Sequence, residues 1–335
     1  MQLDPVSAAL LGSVDGGVRR ASQGARVTIV MCTYNGARYL SQQLASLTTQ
    51  THRAWDLIVS DDGSQDGTPW LVAQFAKRVR AKGHGVFLTD GPRRGASANF
   101  VSAFRHVPAA AEWLALSDQD DVWLPDRLAR GMAALRDLPQ DHPALYCSRT
   151  VIADKYLRAQ RLSKLPRTAP SFRNALVQNI AAGNTILLNR AGTDLVREAA
   201  REMPGGLDLP AHDWWIYQLI TGAGGCVVFD EAPTLIYRQH ETNQLGANDS
   251  WRARLKRIKM VFEGRFQRWI SANITALEHT GAGMTEENQR LLYEFGKARK
   301  KGPWTRCRQF AQLKLHRQTR LSQASLWLAL ILGRL

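Results

Sequence analysis

A β-branched apolar run, RVTIVMC at residues 26–32, leads almost directly into a segment whose Leu40, Leu44 and Leu47 fall on one helical face, and this strand-then-helix unit recurs down the chain. Short continuous apolar runs bounded by turn residues mark strands buried on both faces, whereas apolar residues three and four apart mark amphipathic helices. By that reading residues 55–60, 85–89 and 113–117 are strands, and residues 37–47, 68–80 and 96–107 are helices. Alternating elements of this size build a mostly parallel sheet flanked by helices, with ligands bound beyond the carboxyl ends of the strands. The expected fold class is therefore α/β and Rossmann-like.

After residue 138 the alternation weakens. Strands are expected at 145–152, 185–189, 226–229 and 234–238, and helices at 194–202 and 214–221, with a polar, basic connector running through residue 173. Beyond residue 251 the pattern is helical throughout. A chain of 335 residues holds one large α/β domain and an appendage. The expected organisation is a flexible leader over 1–25, the α/β domain over 26–247, and a basic helical C-terminal extension over 248–335.

The net charge of +15 is concentrated at one end: residues 251–335 hold 18 Lys and Arg against 5 Glu. Such asymmetry directs the extension toward an anionic surface, phospholipid or nucleic acid. The four cysteines, Cys32, Cys147, Cys226 and Cys307, are scattered without a CxxC pair, which favours a reducing compartment. No basic-then-apolar signal segment opens the sequence, so export by that route is not expected. No run reaches the roughly 18 apolar residues needed to span a bilayer.

Three polar clusters directly follow expected strands: Thr33-Tyr34-Asn35-Gly36, Ser60-Asp61-Asp62-Gly63-Ser64 and Ser117-Asp118-Gln119-Asp120-Asp121. All would project from one sheet edge. Carboxylates crowded there repel one another unless a cation offsets them, so the third cluster suits a hard divalent ion, Mg²⁺ or Mn²⁺. The following Val122-Trp123-Leu124-Pro125 is read as a helix entry with proline near its first turn.

With these clusters in place, the sequence resembles the family 2 glycosyltransferases of the GT-A fold from about Val27 to Ala247. VTIVMCTYNGARYLSQQLASLTTQTH is similar to the family's opening strand and helix, and LIVSDDGSQDGT to its second strand with the nucleotide-binding Asp pair. LSDQDDVWLPDRL resembles the metal and diphosphate motif in its rhamnosyltransferase-like form, and HDWW and YRQHETNQLGA fit the same branch. The resemblance implies that Thr33, Tyr34 and Asn35 line the nucleotide and that Asp61 or Asp62 contacts its base or ribose. It implies further that Gly95 and Asn99 approach the donor, and that Asp118 and Asp120 bracket the ribose and the metal. Asp121 is left as a cap for the next helix, and Arg94 as an added cation.

An acceptor hydroxyl needs a base to take its proton as it attacks. By the resemblance that base is Asp213, in Ala211-His212-Asp213-Trp214-Trp215 at a helix start. The family pattern there is Glu-Asp, whereas His212 precedes the aspartate here and is left outside the catalytic set. His240, after the last core strand, is expected as a further metal ligand, and Arg238 as a partner for phosphate oxygens.

The implied activity is an inverting, metal-dependent transfer from a nucleotide-sugar donor, rhamnose on dTDP being the sugar the branch suggests, to a glycan acceptor in cell-surface polysaccharide synthesis. A nucleotidyltransferase would use similar carboxylates but a Gly-rich basic opening loop, which TYNGARYL lacks. The basic tail could in principle bind nucleic acid, yet no nucleic-acid motif accompanies it. A cytoplasmic protein held at the inner face of the membrane, beside a lipid-linked acceptor, is the expectation, with Trp327, Leu328, Leu330, Ile331 and Leu332 as apolar contacts or as an oligomer interface.

Overall fold

The computed structural model describes residues 24–240, 264–281 and 283–335. The expected leader, all but its last two residues, and the expected boundary at 247 lie outside the described residues.

The first half follows the alternation. Strand β1 (Val27–Thr33), helix α1 (Ala37–Thr48), β2 (Trp55–Asp61), α2 (Thr68–Arg80), β3 (Val86–Asp90), α3 (Ala96–Phe104) and β4 (Trp113–Ser117) succeed one another. β1 pairs in parallel with β2 and β4, and β2 with β3. Val27, Ile29 and Met31 of β1 enter one helical layer while Val30 and Cys32 enter the other. That alternation is why the run is apolar without a break.

The second half is more varied. A two-residue strand β5 (Val122–Trp123) precedes α4 (Arg127–Arg136), β6 (Ala144–Ala153), β7 (Ala159–Leu162) and the short α5 (Phe172–Ala175). Then come a 3-10 turn (Gly183–Thr185), β8 (Leu187–Leu188), α6 (Arg190–Glu202), α7 (His212–Gly222) and β9 (Cys226–Arg238). The sheet order is β3-β2-β1-β4-β8-β6-β9-β5, with β7 on β6. Beside the long parallel pairing of β6 with β9, the pairings of β8 with β4 and β6, of β5 with β9 and of β7 with β6 are short and antiparallel.

Val122-Trp123 is thus an edge strand, not a helix entry, and α4 starts two residues after Pro125. The segment read as two strands is one, β9, in which Pro233 is absorbed by register shifts opposite Ser148, Arg149 and Val151.

One face of the sheet is covered by α1, α2 and α4, the other by α3, α6 and α7. Four further helices, α8 (Arg265–Thr280), α9 (Glu286–Arg299), α10 (Pro303–Leu313) and α11 (Arg320–Ile331), lie outside α6 and α7. Phe266, Ile270, Leu277, Phe295, Phe310 and Leu330 join Trp214, Trp215 and Ile216 in a single buried cluster, so these helices share the core of the sheet domain. All four cysteines are free. Among the described residues no helix is long and apolar enough to cross a membrane.

Candidate functional site

The three polar clusters do meet at one sheet edge. β1 and β2 end side by side, with Thr33 opposite Asp61. Thr33 Oγ1 donates to Asp61 Oδ2 at 2.7 Å, and Asp61 also accepts from the Ser64 hydroxyl and from the Gly63 and Ser64 amides. Asp62 accepts from the amides of Arg93 at 2.6 Å and Gly95 at 2.7 Å, fastening the β3–α3 loop to β2. Gly95 takes a φ of +87°, which a residue with a Cβ would adopt only under strain.

The other expected donor contacts divide. Tyr34 is exposed at the mouth, its backbone gripped by the Gln119 amide, and Asn35 sits at φ +46° with its side chain accepting from Gln65 N. Asn99 is buried and exchanges hydrogen bonds with both the hydroxyl and the carbonyl of Ser60, so it locks α3 to β2. Arg94 pairs with Asp208.

The loop after β4 carries the densest charge. Asp118 is pushed up to about 7, chiefly by burial and then by the nearby Asp120 and Asp213 carboxylates, with Arg127 opposing. Asp120 Oδ2 lies 2.7 Å from His240 Nε2. Asp121 does not cap α4: it is fully buried, accepts from Asn184 Nδ2 and Arg238 N, and is raised by burial and by its two neighbours. It ties the 3-10 turn to the end of β9.

Arg238 is likewise buried, donating to the carbonyls of Asp120 and Lys155 and to Gln42 Oε1, with its guanidinium over the Tyr39 ring at 4.5 Å. Its hydrogen bonds brace the strand end that leads to His240 instead of facing an open phosphate site. The Tyr39 ring also lies against His240, centroids 4.9 Å apart.

Asp213 is the second residue of α7, whose N-cap is Ala211. Its oxygens accept from Gly183 N at 3.1 Å and Trp214 N at 2.7 Å, and the Asn179 side chain adds a third donor. Burial outweighs these donors and lifts the carboxyl to about 6. His212 stacks on Phe100 at 3.8 Å, and burial pushes it down to about 3, so it stands as a neutral packing residue. A Cβ on Gly183 would come within 2.9 Å of His212 Nε2 and 3.2 Å of Asp213 Cβ. Only glycine allows this approach.

A divalent ion fits part of this donor set. Asp120 and His240 bring a carboxylate and an imidazole within hydrogen-bond distance of each other; the carboxylate is the oxygen ligand that magnesium and manganese favour, whereas the imidazole is a nitrogen donor better matched to softer first-row metals. Asp118 does not join them: among the described residues no three of His, Cys, Asp and Glu converge on one ion position. Further ligands would have to be diphosphate oxygens and water.

The sequence offered no sign of Arg127. At the start of an amphipathic helix a cation reads as solvent-facing, yet this one is wholly buried, stacked on Trp123 at 3.8 Å and donating to the carbonyls of Leu116 and Asn184. It places a positive charge beneath the carboxylates, although burial draws its own pKa down to about 9.

A sheet of this order with two carboxylate loops at its edge is the GT-A architecture, and the model of Glycosyl transferase family 2 matches residues 28–192. Those residues carry a domain of that family, which supports a glycosyltransferase. Among curated relatives, the dTDP-rhamnosyl transferase RfbG of Shigella flexneri is 26% identical over 78% of this chain and 88% of its own length. The Escherichia coli enzyme WfgD, described as a UDP-Glc:alpha-D-GlcNAc-diphosphoundecaprenol beta-1,3-glucosyltransferase, is 31% identical over 30% of this chain, a match that spans 38% of WfgD. Among solved structures, S. aureus TarS 1-349 superposes with a TM-score of 0.51 at 15% identity, covering 80% of this chain and 69% of that one. The same fragment in complex with UDP gives 0.50 at 16% identity, covering 82% and 71%. These two likenesses show the fold.

Proposed function

We propose that the protein transfers a sugar, rhamnose from dTDP-rhamnose being the favoured donor, to a hydroxyl of a lipid-linked glycan with inversion at the anomeric carbon. The observation that carries this reading is the pairing at one sheet edge of a loop bearing Asp118 and Asp120 with a separate carboxylate, Asp213, whose field Asp118 senses. The donor's name comes from the likeness to RfbG, and the lipid-linked acceptor from the acceptor named for WfgD. Work on a lipid-linked acceptor would hold the protein at the inner face of the cytoplasmic membrane during polysaccharide assembly.

In this mechanism the nucleotide lies along the ends of β1 and β2, where the Tyr34–Asn35 turn is braced by Gln119 and Ser64. Asp61 and Asp62 hold the two walls of that cleft, and one of them reaches the base or ribose when the donor is bound. Asp120 and His240 would hold Mg²⁺ or Mn²⁺, which when bound supplies Lewis-acid neutralisation of the departing diphosphate.

Asp213 takes the proton from the acceptor hydroxyl as its oxygen forms the new bond to the anomeric carbon. The bond to the diphosphate oxygen breaks on the opposite face, and the nucleoside diphosphate leaves with the electron pair. The amides of Gly183 and Trp214 fix the carboxylate's direction, while burial keeps it basic enough to accept a proton.

The test is release of nucleoside diphosphate from a panel of dTDP-, UDP- and GDP-sugars with Mn²⁺ or Mg²⁺, for the native chain and Asp120→Asn. Release from dTDP-rhamnose that is lost with chelator and with the substitution supports the reading. Synthesis of a nucleotide sugar from a sugar phosphate in the same assay would overturn it.

A further inference from the structure

Helices α10 and α11 form an antiparallel hairpin, since Arg306 near the start of α10 donates to the Leu330 carbonyl near the end of α11 at 2.7 Å. The inner side of α11 is settled: Leu326, Ala329 and Leu330 are buried in the shared core. Its outer side is also apolar. Leu321, Ala324, Leu328 and Ile331 are exposed at spacings of three and four, one continuous helical stripe, with Leu332 beside it. At the same end of the hairpin as Ile331, Trp304 stands 92% exposed. No described residue covers this face.

A helix whose outer face is apolar as well as its inner one has a partner for both in its working state. The charge around the face says what covers it. From Phe295 onward the chain carries ten Lys and Arg and no Asp or Glu. Lys301 just before α10, Arg308 on it, Arg320 at the start of α11 and Arg334 just past its end are exposed. A second copy would bring this cationic surface against itself, and an ordinary protein groove would leave the cations unanswered. An apolar stripe with an exposed tryptophan inside a cationic rim matches an anionic bilayer surface, acyl boundary below and phosphate above.

We propose that the outer face of the α10–α11 hairpin is a docking surface for anionic phospholipid, with Trp304, Leu321, Leu328 and Ile331 entering the headgroup boundary and the flanking cations meeting lipid phosphates. The inference rests on the glycosyltransferase reading only for the purpose of docking. Vesicle binding is therefore measured without donor or acceptor, so either reading can fail while the other stands.

The full chain is sedimented with vesicles of phosphatidylcholine alone or mixed with phosphatidylglycerol, beside the double variants Leu328→Glu with Ile331→Glu and Leu328→Gln with Ile331→Gln. The native chain is expected to pellet with the anionic vesicles only, and both variants to lose about tenfold or more of the partitioning while keeping the native melting temperature. The uncharged glutamine pair decides the matter if the glutamate pair unfolds. Equal binding to neutral vesicles, or native binding by the folded variants, overturns the proposal. So does absence of vesicle binding with a native dimer that the variants convert to monomer, which would make the face a contact between copies.

Discussion

Asp120 and His240 lie 120 residues apart in sequence and meet at 2.7 Å, carboxylate oxygen to imidazole nitrogen, across the edge between the β4 loop and the end of β9. If this pair is half of a cation site, His240→Ala should weaken Mn²⁺ binding by about tenfold or more, and Asp120→Asn should weaken it further. Calorimetric titration of Mn²⁺ in the presence of nucleoside diphosphate measures both. Unchanged affinity in the two variants would remove the pair from the cation site.

Asp213 should impose the acidic limb of the rate profile. A base acts only when deprotonated, so with its carboxyl near 6 the turnover number should fall as pH drops through about 6 and level off above 7. Asp213→Asn should lower kcat by about 10²- to 10⁴-fold with little change in the donor KM. A variant that kept the native limb would show that another group titrates there.

Crowding of Asp118 by Asp120 and Asp213 carries a stability consequence. A carboxyl raised in the folded state contributes stability in acid that is lost as pH rises through its folded pKa, here about 7. In chelator, Asp118→Asn should therefore melt higher than the native chain at pH 8 and near it only at about pH 4, where the unfolded carboxyl is also protonated. Thermal unfolding at the two pH values reads the difference.

Gly183→Ala should damage activity out of proportion to its size. The new methyl would press on His212 Nε2 and Asp213 Cβ and displace the carboxylate from its two amide donors. We expect kcat to fall about 100-fold or more, the scale set by misplacing a reacting group by about an ångström. Native kcat in a folded variant would mean that the 3-10 turn does not position Asp213.

The first half of the fold was legible because each element there has a single environment. β1 and β2 are buried on both faces and read as largely apolar runs, while α2 presents Val72, Phe75 and Val79 to the core and places Gln74, Lys77, Arg78 and Arg80 off that face. The second half gave weaker signals for physical reasons. β8 is two residues long, β7 lies exposed in a basic connector, and β9 crosses a proline by shifting register against β6. None of these has a period to read.

Within the site, spacing revealed which residues reach the sheet edge but not what each does there. Asp61, Asp62, Asn99 and Arg238 form hydrogen bonds to the chain itself that no spacing specifies. The meeting of Asp120 with His240, and the burial of Arg127 under the carboxylates, are products of tertiary closure. A cation in a sequence looks the same whether it faces water or a tryptophan ring.

The single core that joins Trp214 and Trp215 to Phe266, Phe295 and Leu330 also limits how this enzyme can be recombined. A chimera cut after the last sheet strand would leave one parent's α6–α7 surface facing the other's α8–α11, with unmatched side chains along the whole seam. Exchange of donor or acceptor preference between relatives is therefore expected to succeed through loop grafts at the sheet edge, or with the four terminal helices carried along as part of the inherited unit.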